Sequence, residues 1–534
     1  MRPVTGVLTA IAVIAVATLG VVSLAAADKA PAPATVKSKY FETEEAKSSG
    51  SVRAGFTSIP YDAVAGTLIV HPKGWDDAAT EKDKSAANNP DAEASMFYVA
   101  YFRRGANPQS RPVMFLFNGG PGSSTVWLHM GAFGPRRVVT ADDSHTPAAP
   151  YKVVDNVYSL LDVADLVFID APGTGFSRIA GKDKEKAFYG VDPDAYAFTQ
   201  FVKQFLSKYG RWNSPKYLFG ESYGTPRAAV MVNELEESED IDFNGVILLS
   251  QILNFDLSAD DAYKNPGVDL PYVIALPTYA ATAWYHNKLP GKRPDDLVAF
   301  VQQVERFSTG EYAHALSVGN SLSQNERMAI ANKLHAYTGL PVSYILRADL
   351  RIAGGEFEQN LQGSQVTTGR LDTRFSGPSM DPLAKEADYD PQSAAISSAY
   401  VSAFNDYVRS TLKFGQNKTY KPEIEIWRSW NFQHQPPGAP IPLPMSANVM
   451  PDLASAMKYN PDLKVMVNGG YFDLATPYYE GWYEMHHLAI EPALQKNIEF
   501  HYYRSGHMVY AHEESLKEIH DAVADFVRRT DNVK

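Results

Sequence analysis

The chain of 534 residues contains no cysteine, which excludes disulfide bonds and a lipid anchor attached to a cysteine. Its stability must therefore come from a packed core rather than from covalent cross-links. Basic residues are also in deficit, since 49 Lys and Arg against 61 Asp and Glu give a formal net charge of −12. This balance argues against a nucleic-acid partner and against binding to anionic membranes through basic patches.

The first 27 residues have the layout of a secretory signal peptide. Arg2 is the only charged residue before Asp28, and an apolar run over 4–22 leads into small residues at 25–27. A basic start, an apolar middle and an A-x-A exit predict a cleaved signal. The uncharged stretch is also long enough to span a bilayer, so the alternative is an uncleaved N-terminal membrane anchor. We expect no other contact with a membrane. Export without disulfides fits the bacterial periplasm or the extracellular space.

The rest of the chain divides into an α/β core in two parts and an insertion. Residues 28–55 are rich in Ala, Lys, Pro, Ser and Glu, which predicts a flexible leader. Continuous apolar runs alternate with helical patterns over 56–255 and again over 446–534, as in a mostly parallel sheet flanked by helices. Amphipathic helical patterns dominate 256–445, which we interpret as a largely helical insertion or lid. The runs that predict strands are residues 66–70, 96–102, 113–117, 166–169, 217–219, 246–249, 463–467 and 498–503, and the helical patterns cover 192–209, 227–235, 295–307, 324–338, 394–414 and 514–529.

The segment Gly220-Glu221-Ser222-Tyr223-Gly224 matches the pattern G-x-S-x-G. It follows a predicted strand and precedes a predicted helix, which is the setting of a nucleophile elbow in the α/β-hydrolase fold. The pattern therefore predicts Ser222 as an activated nucleophile. The alternative is a glycine-rich turn that carries an incidental serine.

A serine nucleophile needs a base and an acid, which in this fold follow it in the order acid, then histidine. His507 comes directly after the last predicted strand, and Asp473 comes shortly after the strand before it. We therefore expect His507 to take the proton of Ser222 and Asp473 to orient the imidazole. Position disfavours the other candidates, which are His501, His512, Asp452 and Asp462.

A glycine-rich segment, Asn118-Gly119-Gly120-Pro121-Gly122-Ser123-Ser124, follows the strand predicted over 113–117. Glycines let backbone N–H groups approach a ligand closely, so the segment predicts an oxyanion hole. Its donors would be the N–H groups of Gly120 and Tyr223. A phosphate-binding loop is the rival interpretation, but the Lys and Ser/Thr of that motif are missing.

Four segments together resemble the serine carboxypeptidase family, including its bacterial members: residues 118–124, 170–177, 220–224 and 505–509. The resemblance implies hydrolysis of peptide substrates at a free C-terminus through an acyl-enzyme on Ser222, without a cofactor or metal. It also implies that Asn118, Gly119 and Glu221 bind the terminal carboxylate and that Met508 shapes the leaving-group pocket.

Two positions depart from the family's pattern. Leu116 stands where members have a Trp, and Ala132 stands where they have a Glu that pairs with the carboxyl beside the nucleophile. Either another acid reaches Glu221, or the free carboxylate is bound more weakly; a nearby cation is a further option, with Arg136, Arg137 and Arg178 as candidates. An esterase or acyltransferase with the same triad is therefore an alternative, and a catalytically inactive binding protein on this fold is another.

Overall fold

The computed structural model describes residues 38–54, 57–77, 89–260 and 262–533. The predicted signal peptide and the start of the predicted leader lie outside these residues. The strands of the described part are β1 (Glu45–Ala54), β2 (Thr57–Val70), β3 (Glu93–Arg103), β4 (Val113–Phe117), β5 (Arg136–Val138), β6 (Val153–Asp155), β7 (Asp165–Ile169), β8 (Arg178–Ala180), β9 (Lys216–Glu221), β10 (Gly245–Leu249), β11 (Val366–Thr368), β12 (Ser376–Pro378), β13 (Lys464–Gly470) and β14 (Ile498–Tyr503).

Helices of the described residues connect these strands and form most of the insertion. They are α1 (Lys184–Phe188), α2 (Val191–Tyr209), α3 (Gly224–Asn233), α4 (Leu270–Tyr285), α5 (Leu297–Phe307), α6 (Ala313–Val318), α7 (Gln324–Thr338), α8 (Val342–Arg347), α9 (Gly354–Asn360), α10 (Pro391–Ser410), α11 (Met450–Tyr459), α12 (Tyr478–His486), α13 (Pro492–Gln495) and α14 (Glu513–Thr530). Among them, none combines the length and the apolar character that crossing a bilayer requires.

One mixed sheet of ten strands organises the described part of the chain. Its order is β1-β2-β3-β7-β4-β9-β10-β13-β14, with β8 paired to β3. Along this order, neighbouring strands are antiparallel from β1 through β2 and β3 to β7. From β7 onward to β14, neighbouring strands are parallel. The predicted α/β-hydrolase sheet, mostly parallel and flanked by helices, is confirmed. Because parallel strands all point the same way, the loops after β4, β9, β13 and β14 meet at one edge.

The apolar strands are buried on both faces, and alternate residues enter different cores. Leu218 of β9 packs in a cluster with Phe198 of α2 and Val230 of α3. Its neighbour Phe219 belongs to the cluster on the other face, which includes Phe526 of α14. This two-sided burial explains why the strands are continuous apolar runs rather than alternating ones.

The segment predicted as an insertion, residues 256–445, has two structurally different parts. Helices α4 to α9 surround a separate apolar core, which also takes in Tyr471 and Phe472 from the loop after β13. Helix α10 packs instead on the main core through Ile396 and Phe404. Residues 411–449, here named the strap, form no helix and bridge back to the core loops, with Lys421 opposite Gly175 and with Glu423 opposite Ser123.

The leader predicted over 28–55 is not flexible throughout, because β1 occupies Glu45–Ala54. Its side chains alternate between exposed and half-buried positions, and only Val52 is buried. The strand escaped prediction because backbone pairing with β2, rather than apolar side chains, holds it in the sheet. The preceding residues are tied down as well: the Glu93 carboxylate accepts hydrogen bonds from the backbone N–H groups of Lys39 and Tyr40, at 2.8 and 3.0 Å.

Candidate active site

Ser222 lies at the sharp turn between β9 and α3 and has a φ of 59°. A left-handed backbone is costly for a residue with a side chain, and such strain is typical of a nucleophile elbow. The turn is fixed by a 3.0 Å hydrogen bond from the Ser222 N–H to the carbonyl of Leu249 in β10. Gly220 is required because a Cβ atom there would lie 2.1 Å from the carbonyl oxygen of Gly224.

Asp473 and His507 come together because β13 and β14 are parallel neighbours that end at the same edge. Asp473 Oδ2 lies 2.8 Å from His507 Nδ1, and both residues are buried. Thr476 holds the carboxylate from the other side: its N–H donates to Oδ1 at 3.0 Å and its hydroxyl donates to Oδ2 at 2.9 Å. The same hydroxyl is 3.1 Å from His507 Nδ1. Thr476 was not singled out from the sequence, although it stands only three residues after Asp473.

The environment of His507 favours its protonated form. Burial alone lowers the pKa of the imidazole, but the charge of Asp473 and its hydrogen bond overcome that effect and raise the pKa above the ordinary 6.5. Ser222 and His507 face the same cavity, and among the described residues no hydrogen bond joins them directly. Hydrogen bonds between catalytic groups commonly tighten only when a substrate binds.

The glycine-rich segment after β4 packs directly against the elbow. A Cβ atom on Gly119 would lie 2.3 Å from the backbone nitrogen of Tyr223, so only glycine allows this contact. Gly120 follows with a φ of 107°, which again favours glycine. The structure thus packs the backbone of Gly119 against that of Tyr223, and Gly120, the next residue, lines the cavity that contains Ser222.

Glu221, the residue before Ser222, is fully buried and lines the same cavity. Burial raises the pKa of its carboxyl to about 7, against the opposing influence of the His507 charge and of hydrogen bonds from Tyr510 and Asn118. Its partner is not a second acid: the Tyr510 hydroxyl donates to the two carboxylate oxygens at 3.0 and 2.9 Å. Ala132 is buried on the helical turn Leu128–Phe133 and brings no charge to the site.

The cavity in front of Ser222 has a volume of about 180 Å³. The core side contains the residues predicted from the sequence: Asn118, Gly119, Gly120, Glu221, Ser222, His507 and Met508. The other side comes from the insertion and the strap, which supply Arg370, Leu371, Ser393, Ser397 and Glu423. No motif in the sequence pointed to these residues.

The cation in the cavity wall is Arg370, not one of the three arginines considered from the sequence. Arg136 pairs with Asp155, Arg137 pairs with Glu513, and Arg178 donates to backbone carbonyls at 175, 177 and 419. The Arg370 guanidinium is held by Asp260, with Nε 3.1 Å from Oδ1. The positive charge of Arg370 is therefore already paired with a carboxylate of the same chain.

A serine at a nucleophile elbow, on a mixed sheet with a histidine and an acid after its last strands, defines the α/β-hydrolase class. Within this class, residues 86–435 match Peptidase_S10, the serine carboxypeptidase family. This match covers more than half of the chain, and the chain therefore belongs to the serine carboxypeptidase family. The resemblance inferred from the four motifs is confirmed.

Comparison with individual proteins agrees with this assignment. The chain is 27% identical over 193 residues to serine carboxypeptidase-like 16 of Arabidopsis thaliana, which covers 34% of the chain and 42% of that protein. It is 29% identical over 171 residues to the pheromone-processing carboxypeptidase KEX1 of Phytophthora infestans, covering 29% and 26%. The chain thus spans less than half the length of these curated relatives. The crystal structure of KEX1ΔP from Saccharomyces cerevisiae shares the fold, with a TM-score of 0.51 and 17% identity over 88% of this chain and 91% of that chain.

Proposed function

We propose that the protein is a serine-type peptidase that releases C-terminal residues from peptides through an acyl-enzyme on Ser222. One observation carries the proposal: the strained Ser222 lines one cavity with His507, whose ring is paired at 2.8 Å with the buried Asp473. This arrangement supports the roles of elbow, base and orienting acid in acyl transfer by a serine.

In the proposed reaction His507 removes the proton of Ser222 as the hydroxyl oxygen attacks the peptide carbonyl. Asp473, held by Thr476, keeps the imidazole in the tautomer that accepts this proton and stabilises the imidazolium that forms. His507 then donates the proton to the leaving amine, and a water attacks the acyl-enzyme by the same route in reverse. No cofactor or metal is needed for these steps.

The N–H groups of Gly120 and Tyr223 would stabilise the negative charge that develops on the carbonyl oxygen. The contact of Gly119, the residue before Gly120, with the backbone nitrogen of Tyr223 supports this assignment, because an oxyanion hole needs the two segments close together. Such donors are preorganised by the fold and contribute roughly 3 kcal/mol each to transition-state stabilisation.

A free substrate C-terminus would be bound by Asn118, Gly119 and Glu221, with Met508 beside the released residue. These residues line the cavity on the core side next to Ser222, which supports a carboxylate subsite there. The Asn118 side chain is itself fixed, since its oxygen accepts a hydrogen bond from the Leu128 N–H at 3.1 Å. That contact fixes the direction in which the NH₂ group of the Asn118 side chain points.

The proposal is tested with an N-terminally blocked dipeptide, by measuring release of its C-terminal amino acid. We expect release by the wild type and a loss of at least about a thousandfold in Ser222→Ala. Ser207→Ala, an exposed serine on α2, is the matched control and should retain wild-type rates. A fluorophosphonate probe should label the wild type and the control but not Ser222→Ala. Unchanged release in Ser222→Ala would refute the proposal, and a wild type that the probe does not label would favour an inactive binding protein.

A serine esterase or acyltransferase is the second candidate, favoured because no acid among the residues that the structure describes hydrogen-bonds Glu221. In that case one peptide presented as free acid, amide and ester would show a high ester rate and no preference for the free acid over the amide. A clear preference for the free acid would exclude this candidate.

We also propose that the protein is exported, which the Arg2-to-Ala27 sequence pattern supports. N-terminal sequencing of the protein made with its full leader should find a chain that starts near Asp28. An intact N-terminus in a membrane fraction would favour the anchor instead.

A further inference from the structure

Glu221 has an unusual partner for a carboxyl beside a nucleophile. The Tyr510 hydroxyl, on the helical turn Val509–Ala511, lies 3.0 Å from Oε1 and 2.9 Å from Oε2. A single donor that faces both oxygens restricts the rotation of the carboxyl group and fixes its plane. Both residues are buried, so water does not compete for this contact.

The backbone around Ala132 leaves room for the tyrosine ring. At the neighbouring position, Gly131, a Cβ atom would lie 2.8 Å from two carbon atoms of the Tyr510 ring and 2.5 Å from the ring of Tyr400. Both rings are therefore seated against a glycine backbone, at a position where a side chain would not fit. The position that lacks an acid and the tyrosine that contacts Glu221 thus belong to one packed unit.

We propose that Tyr510 is a positioning residue of the carboxylate subsite, and that its hydroxyl holds Glu221 toward the terminal carboxylate of the substrate. This inference rests on the proposed function, because it concerns how the same site recognises a free C-terminus. A tyrosine differs from a second acid in one chemical respect: its hydroxyl donates a hydrogen bond but does not ionise. Burial and the Glu221 charge raise the pKa of Tyr510 well above its ordinary value of 10.

The pair therefore titrates only through Glu221. The groups that face this carboxyl are His507, Asp473, Tyr510, Tyr400 and the Asn118 amide. Burial is the largest influence and raises its pKa to about 7, whereas His507 and the two hydrogen-bond donors favour the charged form. Below that pH Glu221 carries a proton that it can donate to a substrate carboxylate. Above it, the two carboxylates repel each other.

The consequence is a pH dependence that is specific to substrates with a free C-terminus. The ratio of kcat/KM for a peptide acid to kcat/KM for the matching amide should fall as the pH rises through about 7. Protonation of His507 blocks attack on both substrates, so this direct effect on the base cancels in the ratio. The ratio consequently reports on Glu221 rather than on the nucleophile and its base.

Tyr510→Phe removes the hydroxyl and keeps the ring. At pH 6 we expect the acid-to-amide ratio to fall about tenfold, mainly through a higher KM for the acid, because Glu221 loses the bond that fixes it. The loss of a donor that favours the carboxylate also raises the pKa of Glu221. The pH at which the ratio falls should therefore move upward.

Tyr217→Phe is the matched control. Tyr217 lies at the opposite end of the same strand as Glu221, is equally buried, and hydrogen-bonds Thr530 at 2.8 Å, far from the cavity. Loss of the Tyr217 hydroxyl should leave the acid-to-amide ratio, and the pH at which that ratio falls, at wild-type values. Glu221→Gln is the second variant, in which the pH dependence of the ratio should disappear because an amide does not titrate.

The outcomes separate this inference from the proposed function. The role of Tyr510 would be overturned if Tyr510→Phe kept the wild-type acid-to-amide ratio and the wild-type pH at which that ratio falls. It would also be overturned if kcat/KM fell equally for the acid and the amide. Both conclusions hold even if Ser222→Ala is inactive. If Tyr510→Phe does not fold, persistence of the wild-type pH dependence in Glu221→Gln would overturn it instead. A wild type that cleaves neither peptide would refute the proposed function itself.

Discussion

The backbone N–H of His507 donates a 2.6 Å hydrogen bond to the carbonyl of Leu371, a residue of the insertion. The loop before His507 has a second such contact, because the Gly506 N–H donates to Asp372 Oδ2 at 3.1 Å. Asp372 is itself held by the Arg374 guanidinium at 2.6 Å. The predicted insertion therefore fixes the loop that carries His507, the proposed base, and also forms one wall of the cavity.

Replacement of the orienting acid should affect turnover more than stability. Asp473→Asn keeps the volume of the side chain but stabilises the wrong tautomer of His507, so kcat should fall on the order of 10⁴-fold. Asp462→Asn is the control, because Asp462 is exposed and lies before β13. Steady-state kinetics on a peptide amide measure the effect; a loss under tenfold in Asp473→Asn would contradict the assignment.

The contact between the glycine-rich segment and the elbow should not tolerate a side chain. Gly119→Ala places a methyl group 2.3 Å from the Tyr223 nitrogen, which should cost about 2 kcal/mol or more and slow fluorophosphonate labelling of Ser222. Gly310→Ala adds the same methyl group where nothing lies within 4 Å and should change neither quantity. Thermal unfolding and labelling rates test this; equal behaviour of the two variants would argue against a packed oxyanion loop.

The activity on a peptide amide should fall at low pH. His507 must be neutral to accept a proton, and Asp473 raises its pKa above 6.5, so kcat/KM should decline as the pH drops through a value above 6.5. In Asp473→Asn the residual activity should show this decline at a lower pH, because the charge that raises the pKa is gone. An inflection that does not move between the two proteins would show that another group is titrating.

A second buried histidine should make stability depend on pH in the alkaline range. His434 of the strap lies between Asp192 of α2 and Asp452 of α11, with Nδ1 and Nε2 at 2.5 and 2.7 Å from their carboxylates. Burial lowers its pKa, but the two acids overcome this and raise it to about 9. This raised pKa stabilises the folded state by an amount on the order of 3 kcal/mol. The stabilisation is complete below pH 6.5, the pKa of histidine in the unfolded chain, and is lost as the pH rises through 9.

Thermal unfolding across pH 6–10 tests this prediction. The melting temperature of the wild type should fall between pH 7 and 10. His434→Gln should be less stable than the wild type at pH 6, and its melting temperature should lack this additional fall. His145→Gln is the control, because His145 is exposed. A similar slope in wild type and His434→Gln would exclude His434 as the titrating group.

Local features of the sequence determined much of the fold. The runs around β4, β7, β9 and β10 were recognisable because burial on both faces demands continuous apolar residues. Helix α4 was not recognised, since it is apolar on nearly all sides and contains Pro277, so it has no amphipathic period. The elbow was predictable because strain at Ser222 requires small residues at fixed neighbouring positions.

The sequence by itself determined the α/β class, the family and the residues proposed as nucleophile, base and acid, because each stands at a fixed place relative to a strand. Only the tertiary structure decided what surrounds them. Tyr510 meets Glu221 across 289 positions of the chain, and the insertion brings Arg370 and Leu371 to the cavity. Such contacts follow from packing between distant segments, and no local pattern encodes which distant hydroxyl will reach Glu221.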